Sequence, residues 1–324
     1  MFKYVLKRIV LALAVFLIIT SMCYILVKLL PNQMPPAPPG TDENIWKQRY
    51  ERLGYGKPLI EQYWTFITKT LFGGDWGFST LKGIDAWEYF TGQLPYTVIV
   101  NVYTMLIAVP IGLMIGIYAA LKKNKWQDHL ISTGVMVFIS VPGYVYCFLI
   151  QYLLCVKLGA ITGGWTFPIK GMLAVEADQL LTWELFVSIV PAILALGLGT
   201  IAGLARYTRA ELCEVLTQEY MLLARTKGLT RGQATVRHAL RNSMVPIFPM
   251  IMGEFIGIIG GSLIVEKTFQ IPGVGRMYLE AITALDYNLY MLLNCFYTLI
   301  GLLSGIAVDL SYGFVDPRIR MGER

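Results

Sequence analysis

The chain has 324 residues, of which 56% are hydrophobic and only 15% are charged, and its mean hydropathy is +0.57. Soluble domains are about 25% charged, so this composition excludes a water-soluble globular protein and indicates a chain that is solvated by lipid. The net charge of +6 comes from Lys and Arg clusters that lie between apolar runs. That arrangement is typical of membrane orientation and not of nucleic-acid binding.

The first predicted element is an uncleaved membrane span over residues 9–30. It follows Lys3, Lys7 and Arg8, it is too long for the apolar region of a signal peptide, and it lacks a clear small-x-small cleavage site. Residues 31–94 are polar, begin with a proline cluster and carry many aromatic side chains. They predict a small folded cap outside the membrane or, in the simpler interpretation, only a long loop.

Five further apolar segments are each long enough to cross the hydrocarbon core, which takes roughly 20 residues. They cover residues 95–121, 130–156, 186–205, 244–265 and 289–312. The predicted fold class is therefore an all-α membrane protein with about six transmembrane helices. The predicted parts are an N-terminal helix in 1–30, an extracytoplasmic segment in 31–94, a five-helix core in 95–313 and a tail in 314–324.

Basic residues mark one set of span ends, at residues 3–8, 122–125, 206–241 and 318–324. Such clusters are retained on the cytoplasmic side, so both termini and the segment 206–242 are predicted to be cytoplasmic. Asp309, near the cytoplasmic end of the last span, is expected to pair with a basic residue of a loop.

No catalytic or metal site is predicted. The five cysteines are scattered, the two histidines (His129 and His238) are far apart, and no HExxH motif occurs. The chain also lacks a GxxxxGK[ST] phosphate loop, so it is not expected to bind ATP in that way. An intramembrane enzyme is therefore disfavoured, and a secondary transporter would need coupling carboxylates or an inverted repeat, of which the sequence shows no sign.

The segment 206–242 is polar but has helical character. Gly228 is predicted to end a helix whose last turn carries Arg225 and Lys227, and Thr230 with Gln233 fits a capping box that starts another. A short exposed helix between two rigid arms can transmit force to the spans on both sides. The alternative is an ordinary amphipathic loop.

This segment carries a family resemblance. EYMLLARTKGL at 219–229 with RHALRN at 237–242 resembles the EAA loop of ABC importer permeases, in the version of the dipeptide, oligopeptide and nickel branch. Further ordered matches, including some in the segment after the first span, extend over nearly the whole chain. They include LPYT at 94–97, SVP at 140–142, LARYTRA at 204–210, EKTF at 266–269, PGVGR at 272–276 and DPRIR at 316–320.

The resemblance implies a B-type permease subunit of a bacterial or archaeal cytoplasmic (inner) membrane. The implied partners are a second homologous permease, two cytoplasmic ATP-binding subunits that hold ATP and Mg, and an extracytoplasmic substrate-binding protein. The residues implied to couple to the ATPase are Glu219, Ala224, Arg225, Thr226, Lys227 and Gly228. The sequence departs from the general EAA pattern at Leu222, which replaces an acidic residue, and at Arg241, which replaces a proline.

Four residues are candidates for the translocation path: Pro142, Tyr144, Glu254 and Gly257. Pro142 and Gly257 permit bending or close helix approach, and packing is the simpler interpretation for them and for Tyr144. Glu254 lies about 15 Å along its helix from Met244, near mid-membrane, where a carboxylate is costly. It either lines a cavity that meets a cationic part of the substrate or is satisfied by the partner permease. The resemblance implies a peptide substrate, with nickel chelates or oligosaccharides as alternatives.

Overall fold

The computed structural model describes residues 2–29, 42–52, 56–171 and 182–315. Across these ranges the chain is helical, and the one β-type pairing found there is an isolated bridge between Phe78 and Asp85. Six helical segments are long and apolar enough to cross a membrane: Tyr4–Lys28, Ala86–Leu121, Gly143–Thr162, Trp183–Val215, Arg231–Thr268 and Tyr287–Gly313. The predicted all-α fold with about six spans is therefore confirmed.

The helices are numbered here in chain order. They are α1 (Phe2–Lys28), α2 (Glu43–Arg52), α3 (Leu59–Thr65), α4 (Ala86–Leu121), α5 (Trp126–Ser140), α6 (Gly143–Ile150), α7 (Leu158–Thr162), α8 (Trp183–Val215), α9 (Glu219–Thr226), α10 (Arg231–Ala234), α11 (Leu240–Gly257), α12 (Leu263–Thr268), α13 (Val274–Thr283) and α14 (Tyr287–Val315). The stretches Phe66–Leu71, Gln151–Lys157 and Thr235–Ala239 continue α3, α6 and α10 as π-helix, and a 3-10 turn at Ile258–Gly260 follows α11.

The second span begins earlier than predicted. Helix α4 starts at Ala86, and the Asp85 carboxylate caps it by accepting the N–H groups of Trp87 and Glu88. Helix α4 extends upstream of the predicted boundary at residue 94, and Pro95 lies inside the helix and does not start it. A strong aspartate cap nine residues upstream, followed by Glu88 in the first turn, decides the true start.

The third span is not the continuous helix that residues 130–156 predicted. Helix α5 ends at Ser140, Val141 is extended, and α6 begins at Gly143 with Pro142 as its N-cap. Proline disfavours the helical conformation for the residue before it and lacks the N–H that a continuing helix would need. The predicted segment is therefore broken at Pro142, and the candidate span Gly143–Thr162 begins after the break.

Helices α4 and α8 form the centre of the bundle and approach each other closely at two glycines of α4. A Cβ atom at Gly112 would lie 2.9 Å from Leu204 Cβ, and one at Gly116 would lie 2.7 Å from the Ala205 carbonyl oxygen. Small residues allow this contact, which in a membrane must be driven by close van der Waals packing.

An ion pair joins α5 to α8 at the end of the bundle that carries the basic clusters, called the basic end below. The Arg209 guanidinium donates to both carboxylate oxygens of Asp128, with Nη2 2.8 Å from Oδ2, and the Asn124 N–H also donates to Oδ2. Asp128 is only 1% exposed and lies before the predicted start of the third span. The Arg209 hydrogen bond, with support from Asn124 and Ser132, lowers the pKa of Asp128 to about 2.

We expect Asp128→Asn to destabilise the protein by about 1–3 kcal/mol, since it leaves a partly buried guanidinium without its counter-charge. The folded pKa lies below the unfolded value of about 3.9, so the stabilisation is complete above that pH and is lost as pH falls towards 2. Thermal unfolding in detergent should show a constant deficit at pH 5–8 that narrows below pH 4. Asp309→Asn, which removes a more exposed partner, should cost less than Asp128→Asn at pH 5–8.

The first and last helices meet at the same end. Arg8 of α1 and Asp309 of α14 form an ion pair of 2.9 Å, so the start of α1 and the end of α14 lie side by side. Asp309 was expected to pair with a basic residue of a loop, and this detail was wrong. The basic partner lies on the first membrane helix, which is distant in sequence.

The segment between α1 and α4 is tied to the opposite end of the bundle. Asp286 is buried, and its Oδ2 accepts the Ser79 hydroxyl at 2.6 Å and the Leu81 N–H at 3.1 Å, while its Oδ1 caps α14 through the Leu289 N–H. Over the residues that the structure describes, the predicted segment 31–94 is therefore fastened to the bundle at Asp286. Residues 30–41 and 53–55 lie outside them.

Candidate coupling helix and transport path

Helix α9 ends in a glycine corner, as predicted. Gly228 has φ of +91°, its N–H donates to the Arg225 carbonyl at 3.0 Å, and the Leu229 N–H donates to the Ala224 carbonyl at 3.3 Å. This is the Schellman arrangement, which closes a helix through a left-handed glycine. Thr230 and Gln233 then form the predicted capping box at the start of α10. The chain between α9 and α10 is therefore a sharp and well-determined turn.

One face of α9 is packed against the rest of the protein. Met221 and Ala224 are buried in a cluster with Leu212 and Cys213 of α8 and with Ala234 of α10. The side chain of Ala224, one of the predicted coupling residues, therefore anchors α9 and does not face solvent. The cluster therefore joins α9 to the ends of two membrane-crossing segments.

The other face of α9 is solvent-exposed and contains both apolar and charged groups. Leu222 is 65% exposed and Leu223 is 55% exposed, although they lie on a polar segment outside the predicted spans. The predicted coupling residues Glu219, Arg225, Thr226, Lys227 and Gly228 are also exposed. Sequence reasoning noted Leu222 only as a departure from the family pattern. Its exposure makes it the centre of an uncovered apolar patch.

The four predicted path residues all lie on the exposed surface of this chain. Pro142 and Tyr144 lie at the break between α5 and α6, and Glu254 and Gly257 lie in the last turn of α11. Span five is itself interrupted here, because α11 gives way to a 3-10 turn and then to Gly261 at φ +68°. The helical path of the chain is therefore interrupted at two places, at Pro142 just before the candidate span Gly143–Thr162 and at Gly261 within Arg231–Thr268, each close to residues predicted to line the path.

A cavity of about 500 Å³ lies between the broken third span, α8 and the start of α12. Its walls include Val141 and Gly143 at the first break, Gly199 and Gly203 of α8, and Ser262 at the second break. Discontinuous helices and small residues at such positions are typical of transport pathways, where irregular backbone is tolerated because it borders a cavity. The cavity does not include the side chains of Glu254 or Tyr144.

A buried carboxylate that sequence reasoning registered only as part of a motif holds the opposite end of span five. Glu266 is 2% exposed; its Oε1 accepts the Thr97 hydroxyl of α4 at 2.9 Å and its Oε2 accepts the Arg276 N–H at 3.0 Å. The Thr97 oxygen in turn accepts the Val274 N–H at 2.8 Å. Together these bonds satisfy the first turn of α13 and fasten it to α4.

Comparison with known proteins places the chain in a family. A family described as binding-protein-dependent transport system inner membrane component matches residues 112–321, and its N-terminal companion matches residues 1–98. The chain is 32% identical over 326 residues to the dipeptide transport system permease protein DppB of Bacillus subtilis, with all of both chains covered. It is 30% identical to the glutathione transport system permease protein GsiC of Escherichia coli K12, with 99% of both covered.

Among solved structures, an inward-facing form of the MetNI methionine ABC transporter shares the fold. The match has a TM-score of 0.50 and 16% sequence identity, and it covers 69% of this chain and 97% of that one. At this identity the similarity concerns the fold alone. The two family matches, the full-length relatives and the six apolar helices agree, and we conclude that the chain belongs to the binding-protein-dependent transport system inner membrane components, as a multi-pass ABC permease subunit.

Proposed function

We propose that the chain forms one half of the translocation path of an ATP-driven importer of short peptides, and that α9 receives the movement of a cytoplasmic ATPase. The observation that carries the coupling role is the exposed apolar patch of Leu222 and Leu223 on a helix that is fixed to the bundle by Met221 and Ala224. An exposed apolar patch on a rigid element fits a protein partner.

Movement of α9 would reach the path through the packing already described. The helix is joined to α8 by the cluster around Leu212 and to span five by the capped turn at Thr230. Packed elements of this kind move as bodies and do not deform continuously, so a push on α9 would tilt both spans. ATP and Mg would be held by the ATPase subunits, and this chain would catalyse no reaction.

The proposed assembly contains a second homologous permease, two ATP-binding subunits and an extracytoplasmic substrate-binding protein. The description of the family as binding-protein-dependent supports the last of these. The exposed residues at the two broken spans would face the second permease across the path. The basic end would face the cytoplasm with both termini, since Lys and Arg near span ends are retained on that side.

A peptide substrate is supported by the relatives. The DppB relative is a dipeptide permease and the GsiC relative a permease for glutathione, which is a tripeptide. Nickel chelates or oligosaccharides remain the alternative cargo for the same machine. A secondary transporter is a poorer candidate, because the family that matches is defined by dependence on a binding protein.

The coupling role is tested by Leu222→Asp in the complete complex with its ATPases and binding protein. A charged group in the apolar patch should lower both co-purification of the ATPases and ATP hydrolysis stimulated by the loaded binding protein at least about tenfold, about 1.4 kcal/mol of interface energy. Lys123→Gln makes the same change in charge at an exposed residue of another loop at the basic end. It should leave both measurements unchanged, and unchanged coupling in Leu222→Asp would refute the proposal.

Glu254 supplies a test of the path. It lies in the last turn of α11, where the helix dipole disfavours a carboxylate. A cationic group of the substrate would therefore stabilise the charged form of Glu254. We expect Glu254→Gln to reduce uptake of lysine-containing peptides several-fold more than uptake of neutral peptides of equal length, measured in proteoliposomes. Equal effects on both peptides would favour the second interpretation, in which the partner permease satisfies Glu254.

A further inference from the structure

The helix formed by α3 and its π-helical continuation, residues 59–71, lies beside a membrane-crossing part of α1. The Tyr63 hydroxyl is 2.6 Å from the Ser21 hydroxyl, and the Phe66 ring stacks on Tyr24 with centroids 4.5 Å apart. Ser21 precedes the last residue of α1 by seven positions, which is about 10 Å along the helix axis. The 59–71 helix therefore reaches below the end of the first span.

The inner face of this helix is part of the membrane bundle. Phe66 is 5% exposed and shares a cluster with Tyr24 of α1 and with Met291 and Cys295 of α14. The helix thus packs against both the first and the last span, at the end of the bundle that lies opposite the basic end. A segment above the bilayer could not pack at this depth against both of them.

The outer face carries a stripe of large apolar side chains. Ile60 is 72% exposed, Trp64 is 67% exposed and Phe72, just after the helix, is 76% exposed. Helix α1, on which the inner face packs, also exposes large apolar side chains, among them Leu26 at 60%. Because α1 is long and apolar enough to cross a membrane, lipid is the solvent that suits both exposed surfaces.

Two threonine hydroxyls of the same helix are bonded to its own backbone, whereas Lys69 near its end is exposed and has a side chain long enough to place its ammonium among the headgroups. The Thr65 hydroxyl donates to the Glu61 carbonyl at 2.9 Å, the Thr68 hydroxyl donates to the Trp64 carbonyl at 2.8 Å, and Lys57 pairs with Glu61 at 3.7 Å. Threonine hydroxyls that donate to a backbone carbonyl one turn earlier in the helix are compatible with apolar surroundings. A tryptophan among them is typical of the boundary between acyl chains and headgroups.

We propose that residues 59–71 form a membrane-inserted anchor whose Ile60, Trp64 and Phe72 stripe lies in the lipid of the leaflet opposite the basic end. The partner of this surface is the bilayer itself. The anchor would hold the end of α1 and the start of α14 at the boundary between acyl chains and headgroups. It would also fix the depth, relative to the bilayer, of the segment that Asp286 fastens to α14.

The test is spin-label accessibility in the complete complex, reconstituted in vesicles of phosphatidylethanolamine and phosphatidylglycerol. Labels are placed at Trp64→Cys, at Leu26→Cys as the lipid reference and at Lys123→Cys as the aqueous reference, with the signal of the labelled parent protein subtracted for native cysteines. The ratio of oxygen to nickel-chelate collisions at position 64 should exceed that at 123 several-fold and approach that at 26.

Two results would overturn the anchor. A ratio at position 64 equal to that at 123 would place the stripe in water. An immobile label that neither oxygen nor the nickel chelate reaches would show that another protein subunit covers the stripe. Glu61→Cys, on the polar side of the same helix, should give a lower ratio than position 64, which confirms that the helix is oriented and not merely close to lipid.

Discussion

Replacement of Gly228 by proline should abolish coupled transport. Proline holds φ near −65°, whereas Gly228 has φ of +91°, and it also removes the N–H that donates to the Arg225 carbonyl. The turn after α9 would have to adopt another backbone conformation at a cost of about 3 kcal/mol or more, and α9 would lose its position on the bundle. The measurements are peptide uptake and ATP hydrolysis stimulated by the loaded binding protein, in proteoliposomes that contain the complete importer.

A graded pair of variants separates the geometry of the corner from the mere loss of a glycine. Gly228→Ala should cost about 1–2 kcal/mol, since an L-residue is strained at this φ although no atom lies within 4 Å of the added Cβ. Gly232→Ala, in α10, has equal space and no positive φ, and it should be neutral or slightly stabilising. If Gly228→Pro assembled and coupled normally, α9 would not be the coupling element.

The second large effect is expected at the Glu266 cluster. Glu266→Gln keeps the shape of the side chain but turns one acceptor oxygen into a donor, which leaves either Thr97 or the Arg276 N–H unsatisfied at a cost of about 1–3 kcal/mol. Gly273→Ala should be more damaging, because its Cβ would lie 2.4 Å from Glu266 Oε2. Both variants should lower the thermal stability of the complex, measured as the temperature at which heating halves the height of its size-exclusion peak. Both should also reduce transport.

Matched controls exist for both changes. Glu280 pairs with Arg276 in the next turn of α13 but its side chain is 32% exposed, so Glu280→Gln should have a small effect. Gly301 in α14 has no atom within 4 Å of a built Cβ, and Gly301→Ala should be tolerated. Wild-type stability in Gly273→Ala would mean that Glu266 does not fasten α13 to α4.

Local features of this protein were predictable because the residues that decide them are neighbours in the chain. Six apolar runs were matched by six candidate membrane spans, although two of the runs are divided between helices, since transfer into lipid depends on the composition of about 20 consecutive residues. The turn at Gly228 and the capping box at Thr230 could also be predicted from the sequence, because the hydrogen bonds of both join residues only a few positions apart. The aspartate cap at Asp85 that starts α4 is also a local signal, but it lies ten residues before the apolar run 95–121 from which the span was predicted.

Which face of an element is covered was decided only by contacts between distant parts of the chain. The sequence by itself predicted a helical membrane protein with a capped corner at Gly228, and the family resemblance counted Ala224 among the coupling residues while giving Leu222 no role. The tertiary structure buried the first and exposed the second, joined Glu266 to Thr97, and placed residues 59–71 between α1 and α14. Hydropathy reports the affinity of a segment for an apolar environment, and it contains no information on whether lipid, a neighbouring helix or another subunit provides that environment.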